Sequence, residues 1–108
     1  MRREVLKGHL DLLLLSVVDD QPLHGYSIIR ELRQRSDGAF DLKDGTIYPA
    51  LHRLERSGLL RSKEIIGEGP RPRRVYSLTA KGQEALRTQS DVWLEFHTAM
   101  DKVLEKTT

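Results

Sequence analysis

Thr46, Tyr48, Pro49, His52 and Arg53 stand close together in the stretch Asp44–Leu60, and Lys43 directly precedes it. Arg71, Arg73 and Arg74 follow about a turn and a strand later. Hydroxyl, phenol, imidazole and guanidinium groups in this mixture donate to phosphate oxygens and to base edges in a DNA major groove. For that chemistry the first group must lie on the outer side of a helix. Ile47, Leu51 and Leu54 recur at spacings of four and three, which puts an apolar stripe on the other side. Asp44 is placed to cap this helix, and Gly58 to stop it. Taken alone, the stretch also reads as an ordinary surface helix of a small bundle.

The preceding elements give that helix something to rest on. His9 to Asp19 is apolar on most sides: Leu10, Leu13, Leu14 and Val17 form one stripe, and Leu12, Leu15 and Val18 widen it. So wide a stripe predicts a helix buried between other elements, or partly at a subunit interface. Asp19 to Gly25 reads as a turn, punctuated by Pro22 and Gly25. A second helix runs from His24 or Gly25 to Arg35, with Tyr26, Ile29 and Leu32 facing inward. Ser36 to Gly45 is a longer connection that Phe40 and Leu42 pin to the core.

After Leu60 the pattern turns to short extended runs, about Leu60–Ile66 and Arg73–Leu78, separated by a segment rich in Gly and Pro. Between Arg61 and Tyr76 five bases face two acids, a net +3, while the whole chain is formally +2. A basic hairpin following the third helix is a wing that can lie along phosphates; the bland alternative is a solvated hairpin. Thr79 then caps a long helix from Ala80 to about Glu105. Leu86, Trp93 and Met100 are seven apart, as are Ser90, His97 and Leu104, with Phe96 and Val103 beside them. That seam fits a partner helix. The expected architecture is α+β: a winged helix-turn-helix of three helices and a two-stranded wing over residues 1–78, then a dimerisation helix over 79–108. Leu10, Leu14, Leu86, Trp93, Phe96, His97, Met100 and Leu104 are the expected dimer contacts.

Composition narrows the function. With 108 residues the chain makes one modest core. The absence of Cys removes disulfides and thiolate metal sites and fits a cytoplasmic protein. The longest apolar run, Leu12 to Val18, is far short of a membrane span. There is no G-x-S-x-G and no glycine-rich phosphate loop, so no enzyme is expected, and no cofactor. His9, His24, His52 and His97 form no metal-binding spacing, although folding or dimerisation could bring two together with a carboxylate.

Three segments together resemble the PadR family of bacterial transcriptional regulators: LHGYSIIREL at Leu23–Leu32, DGTIYPALHRLERSGLL at Asp44–Leu60, and RRVYSLTAKG at Arg73–Gly82. With a single helix after the wing, the chain is similar to the small branch of that family. The resemblance implies a winged-helix homodimer, joined through its first and last helices, that represses by occupying a palindromic promoter site. It implies that the T-I-Y-P helix reads the major groove through Thr46, Tyr48 and Pro49. Arg53 and Arg73 match its basic positions. Lys43 and His52 are added from their chemistry alone. Some small members sense drugs by stacking them on a Trp of the last helix. Trp93 resembles that residue, which makes a planar aromatic molecule a candidate ligand; the plainer reading is that Trp93 is a knob in the dimer seam. Two further readings remain open: a metal-responsive regulator that takes a divalent metal, and a winged helix used only for protein contact.

Overall fold

The structure, a computed structural model, describes residues 3–67, 69 and 73–105. Its elements are α1 (Arg3–Lys7), α2 (Leu10–Asp20), β1 (Leu23–His24), α3 (Gly25–Arg35), α4 (Asp44–Arg56), β2 (Leu60–Ile65), β3 (Arg73–Leu78) and α5 (Ala80–Leu104). This is the expected α+β winged helix, with α2, α3 and α4 as its three helices.

The leucine-rich α2 is the hub. Leu10, Leu14, Leu15, Val17 and Val18 are all buried, because α3, α4, β3 and α5 pack around this one helix. That packing also takes up apolar residues expected at a dimer contact. Leu14 is fully enclosed in the core of its own protomer and Leu10 nearly so. Leu86 of α5 also packs against that core.

On α3 the inward residues are Gly25, Ile28, Ile29 and Leu32, spaced i, i+3, i+4 and i+7. Tyr26 lies about 100° around the helix from Gly25 and is 66% exposed, contrary to its expected place in the core. The segment before α3 is also more than a turn. Leu23 and His24 form a short strand paired with Tyr76 and Val75, so the sheet has three antiparallel strands in the order β1-β3-β2. The wing pairs in register from Leu60↔Leu78 to Ile65↔Arg73. Tyr76, on the central strand, is buried.

The start of α4 differs from expectation and its end does not. Lys43 holds the N-cap position with extended backbone and makes no side-chain cap bond. Asp44 is instead the first helical residue, where its charge favours the helix dipole. Pro49 supplies no N–H to the carbonyl of Gly45 one turn back; both residues are on the exposed side, where water can take that carbonyl. At the other end Gly58 adopts φ +80°, and Leu59 N–H and Gly58 N–H donate to the carbonyls of Leu54 and Glu55. That pair of bonds is the Schellman stop.

Thr79 caps α5 as expected: its Oγ accepts from Gly82 N–H at 2.9 Å and donates to the Gly58 carbonyl at 2.6 Å. Gly82 is required by proximity. A Cβ there would stand 2.0 Å from the Leu59 carbonyl oxygen. So α5 starts tight against the end of α4, packs on α2 through Ala85 and Leu86, stays beside α1 and α2 as far as Trp93 and Phe96, and then runs clear of the body. Its far half exposes Val92, Trp93, Leu94, Phe96, Met100, Val103 and Leu104.

Candidate nucleic-acid interface

Ile47, Ala50, Leu51 and Leu54 fix which way α4 faces. The direction opposite their stripe is occupied by Gly45, Pro49, His52 and Arg56, all exposed. Thr46 and Arg53 flank this outward face on the side of α2. Tyr48 and Glu55 flank it on the side of α3 and the wing. Each flank is tied down by a distinct contact.

Tyr48 leans on α3. A Cβ at Gly25 would meet its Cε1 at 2.5 Å and its hydroxyl at 2.8 Å, so the phenol occupies the space that a side chain at position 25 would fill. Burial, reinforced by the charge of Asp44, pushes the phenol pKa up, and the group stays a protonated donor. Arg53 does not stand free. Its two Nη atoms donate to the two oxygens of Asp11 on α2, at 2.7 and 3.0 Å. The hydrogen bond to Asp11 holds the guanidinium pKa above its ordinary value.

The wing is bound to α4 by a relay. Arg74 Nη1 donates to Ser62 Oγ at 2.8 Å, and Ser62 Oγ donates to Glu55 Oε2 at 2.6 Å. Glu55 is therefore an intramolecular partner, as its charge beside phosphate leads one to expect. The same carboxylate and burial raise the pKa of Tyr76, with burial the larger cause. Arg74 spends one donor on this relay, while Arg73, Arg61 and Lys63 are exposed. Lys43 is largely free, with Asp41 at 3.7 Å. Arg71 lies outside the described residues.

Three further exposed groups are not among the expected site residues. Arg56 sits on the outward face of α4 itself. Tyr26 and Arg30 form a plate on α3, with the Arg30 guanidinium carbon 5.7 Å from the ring centroid. The signal for Tyr26 was present: Gly25, Ile28, Ile29 and Leu32 already make a complete inward face without it.

A second feature lies away from α4. Trp93 is stacked on His97, with ring centroids 4.8 Å apart and planes 9° from parallel, and His97 Nε2 is 3.3 Å from Asp101. An open apolar groove of about 460 Å³ runs between Trp93 and Leu6, Leu12, Leu13 and Phe40. Among the described residues no three His, Asp or Glu side chains converge as metal ligands, and no helix is long and apolar enough to cross a membrane.

These features match known proteins. The family model for the transcriptional regulator PadR-like family matches residues 14–88. A transcriptional regulator of Mycobacterium tuberculosis, Rv3488, is 38% identical over 84 residues, which is 78% of this chain and 75% of that protein. A PadR family transcriptional regulator from Eggerthella lenta superimposes with a TM-score of 0.81 at 33% identity, covering 96% of this chain and 88% of the other. A PadR family transcription regulator from hypervirulent Clostridium difficile gives 0.79 at 30%, covering 89% and 98%. The family model runs from Leu14, inside the hub helix, through the outward-facing α4 and the wing to the start of α5, and on that match the chain belongs to the PadR-like family of transcriptional regulators, whose function is regulation by binding DNA.

Proposed function

We propose that the protein is a homodimeric repressor that binds a pseudo-palindromic operator and releases it when a planar aromatic molecule occupies the groove beside Trp93. The observation that carries the DNA reading is the outward face of α4, with Pro49, His52 and Arg56 exposed and a basic wing locked beside it through Glu55, Ser62 and Arg74. His52 and Arg56 meet base edges or phosphates in the major groove. Thr46 and the Tyr48 hydroxyl bond phosphates at its margin. Lys43, Arg71 and Arg73 set register on the backbone, joined by the remaining donors of Arg74. A helix and a wing presented together give more phosphate contacts than either alone, so affinity falls steeply with salt.

Residues 1–78 form the DNA-binding unit in this proposal, and residues 79–108 the dimerising one. Trp93, Phe96, His97, Met100 and Leu104 are exposed along the free half of α5, a stripe that a second copy would cover. A two-fold dimer presents two reading helices about 34 Å apart, one turn of duplex. A flat ligand stacking on the open face of Trp93 wedges between α2 and α5 and shifts the spacing of the heads. Such a repressor works in the cytoplasm. No observation favours the metal-responsive alternative or the reading of a pure protein-contact module. The test is selection of duplexes from a random pool followed by sedimentation of the complex. Enrichment of an inverted repeat bound by two chains supports the proposal. An unenriched pool refutes the operator; a single bound chain refutes the dimer.

A further inference from the structure

Arg53 lies about 70° around α4 from the outward direction, on the side of α2. Its fork grips both oxygens of Asp11, 42 residues earlier in the chain. Among the described residues these are the only side-chain hydrogen bonds that join α2 to α4. Asp11 sits in the first turn of α2, where the helix dipole already favours a carboxylate. The next two residues, Leu12 and Leu13, wall the groove against Trp93.

We propose that Arg53 is a positioning residue and not a DNA contact: with Asp11 it clamps the reading helix to the helix that walls the Trp93 groove. This rests on the DNA-binding reading of α4. Two physical arguments favour the clamp. If Arg53 turned to a phosphate, the Asp11 carboxylate would be left unpaired beside a polyanion. And an Arg–Asp pair is neutral as a unit, so it displaces no counterions from DNA and contributes nothing to the salt dependence. What the pair supplies is direction. The planar bidentate fork fixes the relative rotation of two helices in a way that a point charge cannot. Movement of α2 at Leu12 and Leu13 is then delivered to α4 one residue away, at Asp11.

The substitutions that separate the two roles are conservative. Lysine replaces arginine well as a phosphate contact but cannot hold both carboxylate oxygens in one plane. Asparagine at position 11 removes an acid near DNA, which electrostatics alone would reward with tighter binding. The clamp predicts the opposite sign. A duplex selected from a random pool by the unmutated protein serves as probe, and its binding is followed by anisotropy across a salt series. Arg53→Lys and Asp11→Asn each weaken binding, on the order of tenfold, the low end of typical coupling between sites. Arg53→Gln weakens it similarly and leaves the salt slope unchanged. The change in Trp93 fluorescence on DNA binding, clean because the chain has one Trp, shrinks in all three variants. Both partners are partly open to water, with side chains 49% and 36% exposed, so melting temperatures stay close to the parent. Full affinity in Arg53→Lys, tighter binding in Asp11→Asn, or a slope lowered by roughly one in Arg53→Gln overturns the clamp while leaving the DNA reading intact. Failure of the unmutated protein to select any duplex overturns both.

Discussion

Gly25→Ala tests the packing that sets the reading helix. The backbone of Gly25 is not left-handed, so alanine fits its conformation; the obstacle is Tyr48. The added Cβ would lie 2.5, 2.8 and 2.9 Å from Cε1, the hydroxyl and Cζ of that ring. Carbon atoms prefer roughly 3.5–4.0 Å, so the ring must retreat by about 1 Å or swing out to solvent. Overpacking of this kind costs about 1–3 kcal/mol. Alanine returns at most about 1 kcal/mol of helix propensity, and less at the first residue of α3. The net loss is about 1–2 kcal/mol, which for a domain of this size lowers Tm by about 5–10 °C. Operator affinity falls as well, because the displaced phenol sits in the first turns of α4. The assay is a double-mutant cycle in urea with Tyr48→Ala, reading stability and DNA binding on all four proteins. Without the ring the clash is gone, so Gly25→Ala becomes neutral or slightly stabilising in the Tyr48→Ala background. An equal penalty in both backgrounds, or none in the parent, refutes the reasoning.

Gly82→Ala drives a methyl onto the Leu59 carbonyl, a backbone atom that cannot step aside; thermal melting shows a larger loss than Gly25→Ala, about 2–4 kcal/mol. Arg73→Ala weakens operator binding uniformly across sequences and lowers the salt slope by roughly one, as read from anisotropy at several salt concentrations. Trp93 fluorescence responds saturably to planar aromatic compounds, and Trp93→Phe loses the affinity; a flat titration across a broad panel returns Trp93 to the dimer seam. Sedimentation at micromolar concentration gives twice the 12.4 kDa chain mass, and Phe96→Glu with Met100→Glu returns it to the monomer value.

Periodicity made the helices legible because each buries a stripe at regular spacing, and the end of α4 was legible because Gly58 alone can take its backbone angle cheaply. The order of helices and basic hairpin carried the winged fold. What escaped was set by contacts distant in sequence. Leu23 and His24 become a strand only because β3 offers an edge, and two residues are too few to show alternation. Tyr26 keeps a spacing of three with Ile29 and Leu32 and so reads as inward, but Gly25 is the fourth member of that face, admitted because Tyr48 fills its missing side chain. Thr46, Tyr48, Pro49, His52 and Arg53 lie on one helix as their spacing implies, but what each can do depends on neighbours from other elements: Asp11 for Arg53, Gly25 for Tyr48. Ser62 likewise recruits Arg74 into the fold. A basic residue at a motif position announces a charge; whether that charge is free for DNA depends on acids that the sequence places 42 positions away.

The most direct test of the central claim is an anisotropy titration of a duplex selected from a random pool against a scrambled duplex of equal length and composition. Saturable binding of two chains to the selected duplex, at least a thousandfold tighter than to the scrambled one (roughly the lower bound for specific regulators), is the predicted result. Equal affinity for the two duplexes would contradict the assignment of α4 as a reading helix.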